Sequence, residues 1–425
     1  MNTSVTIWTL TARGAERFRR GHPWAFSNEL AESPKGLEPG APVELRDAGG
    51  KFLARGYGNP RSLIAFRTLS RDPDISEPWS SAFLVEKLRD ARSLRARLGL
   101  LGTSHRWVFS EADRLPGWIL DCYLTKQGSV LVLQISTAGL ERTNEQILDL
   151  LSLAVADAEE WKKTTVIVDR SSGSRELEGL AIEGPQVLKK GVAFQSTAEI
   201  IVRGITFRVD FLEGQKTAFF LDQSENAERL GLRLRDQKIF GTFKILDLCS
   251  YVGQWSVQAG RAVLQAGGRA EVTVVDASAR ALELAGQNLA SAEIRHELLK
   301  RDVLEGLGSL PSGGYDLVIV DPPALIQGRK HVPAGAHAYL QLNTEAFRLV
   351  RAGGLLVSCS CSGLLERERF ELLLSKAAYR NRKDARWVEW GGQASDHPIL
   401  MEFPEGRYLK FGLAWVGSAQ TGRIN

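Results

Sequence analysis

From about residue 200 onward, short apolar runs alternate with amphipathic stretches, the pattern of parallel strands and crossover helices in a doubly wound α/β sheet. The runs are Lys244-Ile245-Leu246-Asp247-Leu248, Val272-Thr273-Val274-Val275-Asp276, Leu317-Val318-Ile319-Val320-Asp321 and Leu355-Leu356-Val357-Ser358. Rich in Val, Ile and Leu, they suit strands covered on both faces. Between and beside them, 278–290 and 339–350 predict helices. The earlier chain is patterned differently. Residues 1–72 hold brief strand-like runs, Val43-Glu44-Leu45 and Leu63-Ile64-Ala65-Phe66, separated by Gly and Pro, which predicts a small β-rich domain. After the break at Asp72-Pro73-Asp74, 81–98 places Phe83, Leu84, Leu88 and Leu94 among charges as an amphipathic helix. A strand at Ser129-Val130-Leu131-Val132-Leu133-Gln134, a helix over 144–156 and a strand at Thr165-Val166-Ile167-Val168 complete an α+β middle domain. The domains expected are therefore 1–72, 73–195 and 196–416, with 417–425 as a tail.

A chain of 425 residues is too long for one ordinary core. Its 44% hydrophobic and 24% charged residues are those of a globular protein, and no apolar run reaches the length of a membrane span. The opening Met1-Asn2-Thr3-Ser4-Val5-Thr6 lacks the basic and apolar regions of a signal peptide, so a cytoplasmic protein without membrane contact is expected. Four cysteines, two in Cys359-Ser360-Cys361, give neither a disulfide framework nor zinc spacing; reduced thiols and no metal follow. The net charge of +4 permits a polyanionic partner without demanding one. More pointed is the early mixture of Arg13, Arg17, Arg19, Arg20, Arg55, Arg61, Arg67 and Arg71 with Trp24, Phe26, Phe52, Tyr57 and Phe66, since RNA surfaces use arginine for phosphate and aromatics for bases. A solvated basic face is the alternative. For His22 and Trp24 local packing is the preferred reading.

In an open α/β sheet, ligands sit outside the carboxyl ends of the strands. Asp247-Leu248-Cys249-Ser250-Tyr251-Val252-Gly253 follows the first strand without the G-x-G-x-x-G spacing of a dinucleotide site. Asp276 ends the second strand, where a carboxylate can accept ribose hydroxyls, and Arg301-Asp302-Val303 adds a third acidic residue near an adenine amino group. Acidic strand ends without a phosphate cradle match S-adenosylmethionine better than NAD or ATP.

Asp321, in Asp321-Pro322-Pro323, and Cys361 end neighbouring strands, and that pairing suits methylation at carbon 5 of cytosine. The ring is a poor nucleophile until a thiolate adds at carbon 6; a carboxylic acid then bonds the ring nitrogen as charge builds there, and a base removes the carbon-5 proton. Cys359 competes with Cys361, but it lies nearer the apolar run and is expected to be packed, whereas Cys361 opens into Ser362-Gly363-Leu364. Both being ordinary buried cysteines is the structural alternative. The proton-abstracting base is not assigned, and His397 is ambiguous. Enzymes that methylate amines usually carry an aromatic ring after the two prolines; Ala324 stands there.

With these residues in hand, the chain resembles the bacterial class I S-adenosylmethionine-dependent 23S rRNA cytosine-5 methyltransferases with an N-terminal PUA domain. The likeness rests on Arg20-Gly21-His22-Pro23-Trp24-Ala25-Phe26-Ser27, Glu111-Ala112-Asp113-Arg114-Leu115-Pro116-Gly117, Gly214-Gln215-Lys216-Thr217-Ala218-Phe219-Phe220-Leu221-Asp222-Gln223, Ser360-Cys361-Ser362-Gly363-Leu364 and Asp396-His397-Pro398 with Pro404-Glu405-Gly406-Arg407-Tyr408-Leu409-Lys410. It implies a PUA domain for RNA, a middle domain gripping the substrate, a Rossmann-like methyltransferase and often a homodimer. By motif position it implies cofactor contacts near Gln223, Asp247, Ser250, Gly253, Asp276, Asp302 and Asp321, with Cys361 as nucleophile. First RNA contacts are expected at Arg19 and Arg20. The chain departs from the family at Gln254, Ala218 and Arg114, commonly glycine, and at Ala324, commonly lysine. Methylation of another RNA or of a guanine amine is the alternative within enzymes; a non-catalytic RNA-binding assembly factor is the alternative outside them.

Overall fold

The computed structural model describes residues 5–214 and 217–418. Met1-Asn2-Thr3-Ser4, Gln215-Lys216 of the motif before the cofactor fold and 419–425 of the expected tail lie outside the described residues. Two compact units emerge: Met1–Ile205 with Asp210–Leu221 and Ser395–Gly406, and Thr206–Val209 with Asp222–Ala394 and Arg407–Asn425.

The first unit holds two sheets. One runs in the order Thr6–Thr9, Ala41–Arg46, Phe52–Gly58, Phe66–Ser70, Trp24–Ala25 and packs Leu10, Phe18, Leu45 and Phe66 into a small core. The predicted strand at Leu63 starts later, at Phe66. The Asn59 N–H bonds the Ala65 carbonyl to close a loop that leaves Leu63 79% exposed. The other sheet orders Glu183–Lys189, Thr165–Arg170, Gly128–Ile135, Trp118–Thr125 and Thr197–Val202, with His105–Phe109 paired to Trp118–Thr125. The boundary drawn at 195/196 falls just before Thr197–Val202, whose Ile200 pairs with Thr125. The helix Ser81–Arg97 covers this core with Phe83, Leu84 and Leu88, and the Ser80 hydroxyl caps it by accepting from the Phe83 N–H.

In the second unit the elements are α1 (Ser224–Arg235), β1 (Thr242–Leu248), α2 (Gln254–Gln265), β2 (Arg269–Asp276), α3 (Ala279–Ser291), β3 (Arg295–Lys300), β4 (Tyr315–Val320), α4 (Val332–Leu349), β5 (Val350–Ser360), α5 (Arg367–Arg380), β6 (Lys383–Gly391) and β7 (Lys410–Ser418). The sheet order is β3-β2-β1-β4-β5-β7-β6. The first five strands are parallel, while β7 enters antiparallel between β5 and β6. Strand order reverses at β1, so the crevice beyond its carboxyl end, flanked by β2 and β4, is the expected ligand position. Buried side chains of β1, β4, α4 and α5, among them Leu246, Val318, Phe347 and Phe370, form the core on one face. Helix α4 begins seven residues before the predicted start: Pro333 sits in its first turn, where no N–H is needed, and Gly335 lies so close to Ile326 and the Leu325 carbonyl that a side chain has no room. Gly417 and Ser418, assigned to the tail, instead pair with Asp384 and Lys383.

Candidate active site

The parallel register sets Asp247 beside Val274 of β2 and Ile319 of β4, so the acidic strand ends open on one edge of the sheet. Asp247 is fully buried. Its Oδ2 accepts from the Ser256 hydroxyl at 2.6 Å, but its Oδ1 has no partner, and neither has the buried Ser250 Oγ. Burial pushes the Asp247 carboxyl up to about 7; the charges of Asp321 and Asp276 add to the rise, and the Ser256 hydroxyl opposes it. Buried polar atoms without partners are rare in folded proteins, and here they mark a place where a polar ligand completes the bonding.

The connection from β1 to α2 is shaped for that ligand. Cys249, Tyr251 and Gly253 have φ of 62°, 47° and 80°, so the chain curls through left-handed conformations that hold its side chains aside. The N–H groups of Cys249 and Ser250 donate to the Val275 carbonyl, that of Tyr251 to Asp276 Oδ2 and that of Gly253 to the Ser250 carbonyl. With those donors turned inward, the loop is no phosphate nest. Asp276 also accepts from the Ser278 N–H at 2.8 Å, which fixes its carboxylate at the tip of β2 and leaves lone pairs for hydroxyls. Asp302, two residues past β3, is exposed and accepts from the Leu304 N–H. S-adenosylmethionine fits these residues: the ammonium of its amino-acid end suits Asp247, a ribose suits Asp276, and no phosphate is required.

Asp321 stands just past β4 and is held from two sides. Gln223 Nε2 donates to its Oδ1 at 3.0 Å, and the Trp255 indole N–H donates to its Oδ2 at 2.9 Å. Gln223 is itself oriented by Asn226, whose Nδ2 donates to Gln223 Oε1 at 2.8 Å. Trp255 stacks on Phe411 of β7 with centroids 5.8 Å apart and planes 9° apart. Reading the sequence reaches neither Trp255 nor Asn226; a buried tryptophan in the first turn of α2 needs an acceptor for its N–H, and that is the available signal.

The two thiols differ in kind. Cys359 lies in β5 opposite Phe411 and is wholly buried; burial, then the Asp321 charge, pushes its thiol well up. Cys361 lies one residue past the end of β5, half-buried, with Sγ 3.9 Å from the Pro322 carbonyl. Thus Cys361 and Asp321-Pro322 meet where β4 and β5 end. Lys410, which the sequence offers only as the end of a longer motif, joins them: its Nζ donates to the Ser362 carbonyl at 2.6 Å and the Tyr408 carbonyl at 2.8 Å.

In the first unit four of the eight early arginines are occupied internally, which takes them out of any RNA face. Arg67 is buried between Glu111 and Glu178 and lies over Trp24; Arg17, Arg55 and Arg71 lie over Phe26, Phe52 and Phe18. Arg13, Arg19, Arg20 and Arg61 remain exposed, Arg19 paired with Asp47 and Arg20 with Glu16. His22 and Trp24 are packed against Phe403, and the Trp24 indole donates to Glu111 at 2.7 Å. His397 is buried with Nδ1 2.7 Å from Asp396 and Nε2 unpartnered. Arg114 and Ala218 have φ of 60° and 100°, a conformation that accounts for glycine being the easier residue there.

A family model for PUA-like domains matches residues 9–71, and one for S-adenosylmethionine-dependent methyltransferases matches 188–389. The ribosomal RNA large subunit methyltransferase I of Serratia proteamaculans is 31% identical over 416 residues, covering 96% of this chain and 98% of its own. That of Erwinia tasmaniensis is 32% identical over 415 residues, with 96% and 98% covered. Among solved structures, a putative methyltransferase complexed with SAH has a TM-score of 0.77, and a putative SAM-dependent methyltransferase from Streptococcus mutans one of 0.76. Each is 16% identical and covers 97% of this chain and 100% of its own, a likeness of fold alone.

Proposed function

The chain belongs to the ribosomal RNA large subunit methyltransferase I family, joining a PUA-like domain to a Rossmann-like class I S-adenosylmethionine-dependent methyltransferase, and on that premise we propose that it methylates carbon 5 of a cytosine in 23S rRNA. The observation that carries this reading is the meeting of Cys361 with Asp321-Pro322 at adjacent strand ends. Gln223, Asp247, Ser250, Gly253, Asp276, Asp302 and Asp321 are the residues to hold the cofactor, which when bound supplies an electrophilic methyl group. In this reading the Cys361 thiolate forms a bond to carbon 6, and the electron pair of the carbon 5–carbon 6 double bond makes carbon 5 nucleophilic. Asp321, its plane set by Gln223 and Trp255, acts as a carboxylic acid that donates to the ring nitrogen as negative charge builds there. Carbon 5 would then bond to the methyl group, the methyl–sulfur electron pair departing on the cofactor's sulfur, and removal of the carbon-5 proton returns its electron pair to the ring and expels the thiolate.

RNA is held first through Arg19 and Arg20 of domain 1–72, with 73–195 gripping the substrate, 196–416 carrying the chemistry and two copies pairing, in the cytoplasm where an rRNA substrate is assembled. The test is transfer of radiolabelled methyl to 23S rRNA by the natural protein and by Cys361→Ala, with the product mapped by nuclease digestion and mass spectrometry. Label in 5-methylcytosine that the variant cannot produce is expected. Label in another base, or undiminished label from the variant, rejects the mechanism.

A further inference from the structure

Resting on the reading of Cys361 as nucleophile, we propose that Lys410 is the positioning residue that poises it, an ammonium buried behind the turn that favours the thiolate before RNA arrives. A free thiol has a pKa near 8.5, so a cysteine that must attack near neutrality needs a local field. Among the described residues, the cation built into this turn is Lys410. It is the first residue of β7 and pairs with Ser360, the last residue of β5. Only 8% of it is exposed, so its stem is fixed by the sheet and its charge is poorly screened by solvent. Two of its three N–H groups donate to the Ser362 and Tyr408 carbonyls. The Ser362 bond places the ammonium against the residue that follows Cys361, with one of its three N–H groups beyond those two bonds.

Burial pushes the Lys410 ammonium down to about 8, and the Cys361 thiolate is the charge that pulls it back up. By reciprocity the ammonium pulls the thiol down. The other groups facing the turn work differently. Tyr339, from α4, lies 3.0 Å from the Ser362 hydroxyl; burial pushes its phenol up to about 12, so it stays neutral. Cys359 in β5 is held protonated by burial. The charges of Asp321 past β4 and of Asp222, which accepts from the Tyr408 hydroxyl, add to that rise of the Cys359 thiol.

The experiment is the pH dependence of Cys361 alkylation by iodoacetamide, followed on the Cys361 peptide by mass spectrometry, in the natural protein and in Lys410→Met and Lys410→Arg. The natural midpoint is expected below the ordinary thiol value of about 8.5. Lys410→Met should raise it by about one pH unit, a roughly tenfold slower alkylation at pH 7, and Lys410→Arg should restore most of the loss. A merely structural lysine would leave the midpoint unmoved in a folded variant. A natural midpoint at or above about 8.5 overturns the proposal without recourse to any variant, as does an unshifted midpoint in folded Lys410→Met. Because alkylation needs no RNA, the outcome is separable from that of Cys361→Ala: a shifted midpoint with undiminished methyl transfer by Cys361→Ala upholds Lys410 and rejects the nucleophile.

Discussion

Asp247 shows what a single buried carboxyl does to the pH response of this protein. Its folded pKa is raised to about 7 from the ordinary value of 3.8, so between those values the native state holds a proton that the unfolded chain has released. Its contribution to stability is therefore fully present below about pH 4 and is lost as pH rises through about 7. A cationic ligand reverses the preference, because it favours the ionised carboxylate. S-adenosylhomocysteine, with its amino group, should bind more tightly as pH rises from about 5 to 7, approaching tenfold per unit, and level off above; Asp247→Asn should flatten the curve. Calorimetry across that range is the check, and a flat curve for the natural protein would reject Asp247 as the partner of the amino group.

At the scale of elements, α2 connects the loop after β1 to Asp321. Its first turn carries Trp255, whose N–H reaches Asp321 across β1 and whose ring lies flat on Phe411 of β7. Trp255→Phe keeps the stack and deletes the donor. A hydrogen bond to a carboxylate is worth about 1.5–3 kcal/mol, so kcat should fall roughly 10- to 100-fold with little change in melting temperature. Equal loss of kcat and of folding would count against a positioning role. The elements also show why reading the chain goes only so far. The β-branched runs of β1, β2 and β4 are legible because a strand covered on both faces has little choice of residue. Helix α2 is not, since Gln254, Ser256, Gln258 and Gly260 interrupt its apolar spacing although all are buried. The acidic strand ends are legible because their chemistry lies within the motif. Trp255 and Lys410 are not, because their partners, Asp321 and Ser362, are distant in sequence and are brought near only by the β1-β4-β5-β7 order.

At the scale of the whole molecule, the proposed recognition and chemistry fall on different stretches of the chain, matched by a PUA-like model over 9–71 and a methyltransferase model over 188–389, so they can be perturbed separately. Arg19 and Arg20, at the end of the helix Ala12–Arg19, are exposed; the Arg20–Glu16 pair is open on both sides, the weak kind that a phosphate can replace, while Arg19 pairs with a largely buried Asp47. Arg19→Glu with Arg20→Glu should weaken RNA binding and lower the slope of log affinity against log salt by about 1 for each phosphate no longer neutralised, while leaving cofactor affinity unchanged. Binding isotherms over a salt series decide it, and an unchanged slope places the RNA elsewhere.

The insertion of β7 between β5 and β6 has a temporal side. A chain emerges from the ribosome in order, at about 5–20 residues per second, so Cys361 is made seconds before Lys410 and Phe411. During that interval β5 is an open edge, Trp255 lacks its stacking partner, and the turn after Cys361 lacks the Lys410 ammonium. On the proposed reading of Cys361 as nucleophile, its turn acquires the neighbouring ammonium only when β7 pairs with β5, so the order of synthesis sets the order in which the parts of the centre meet.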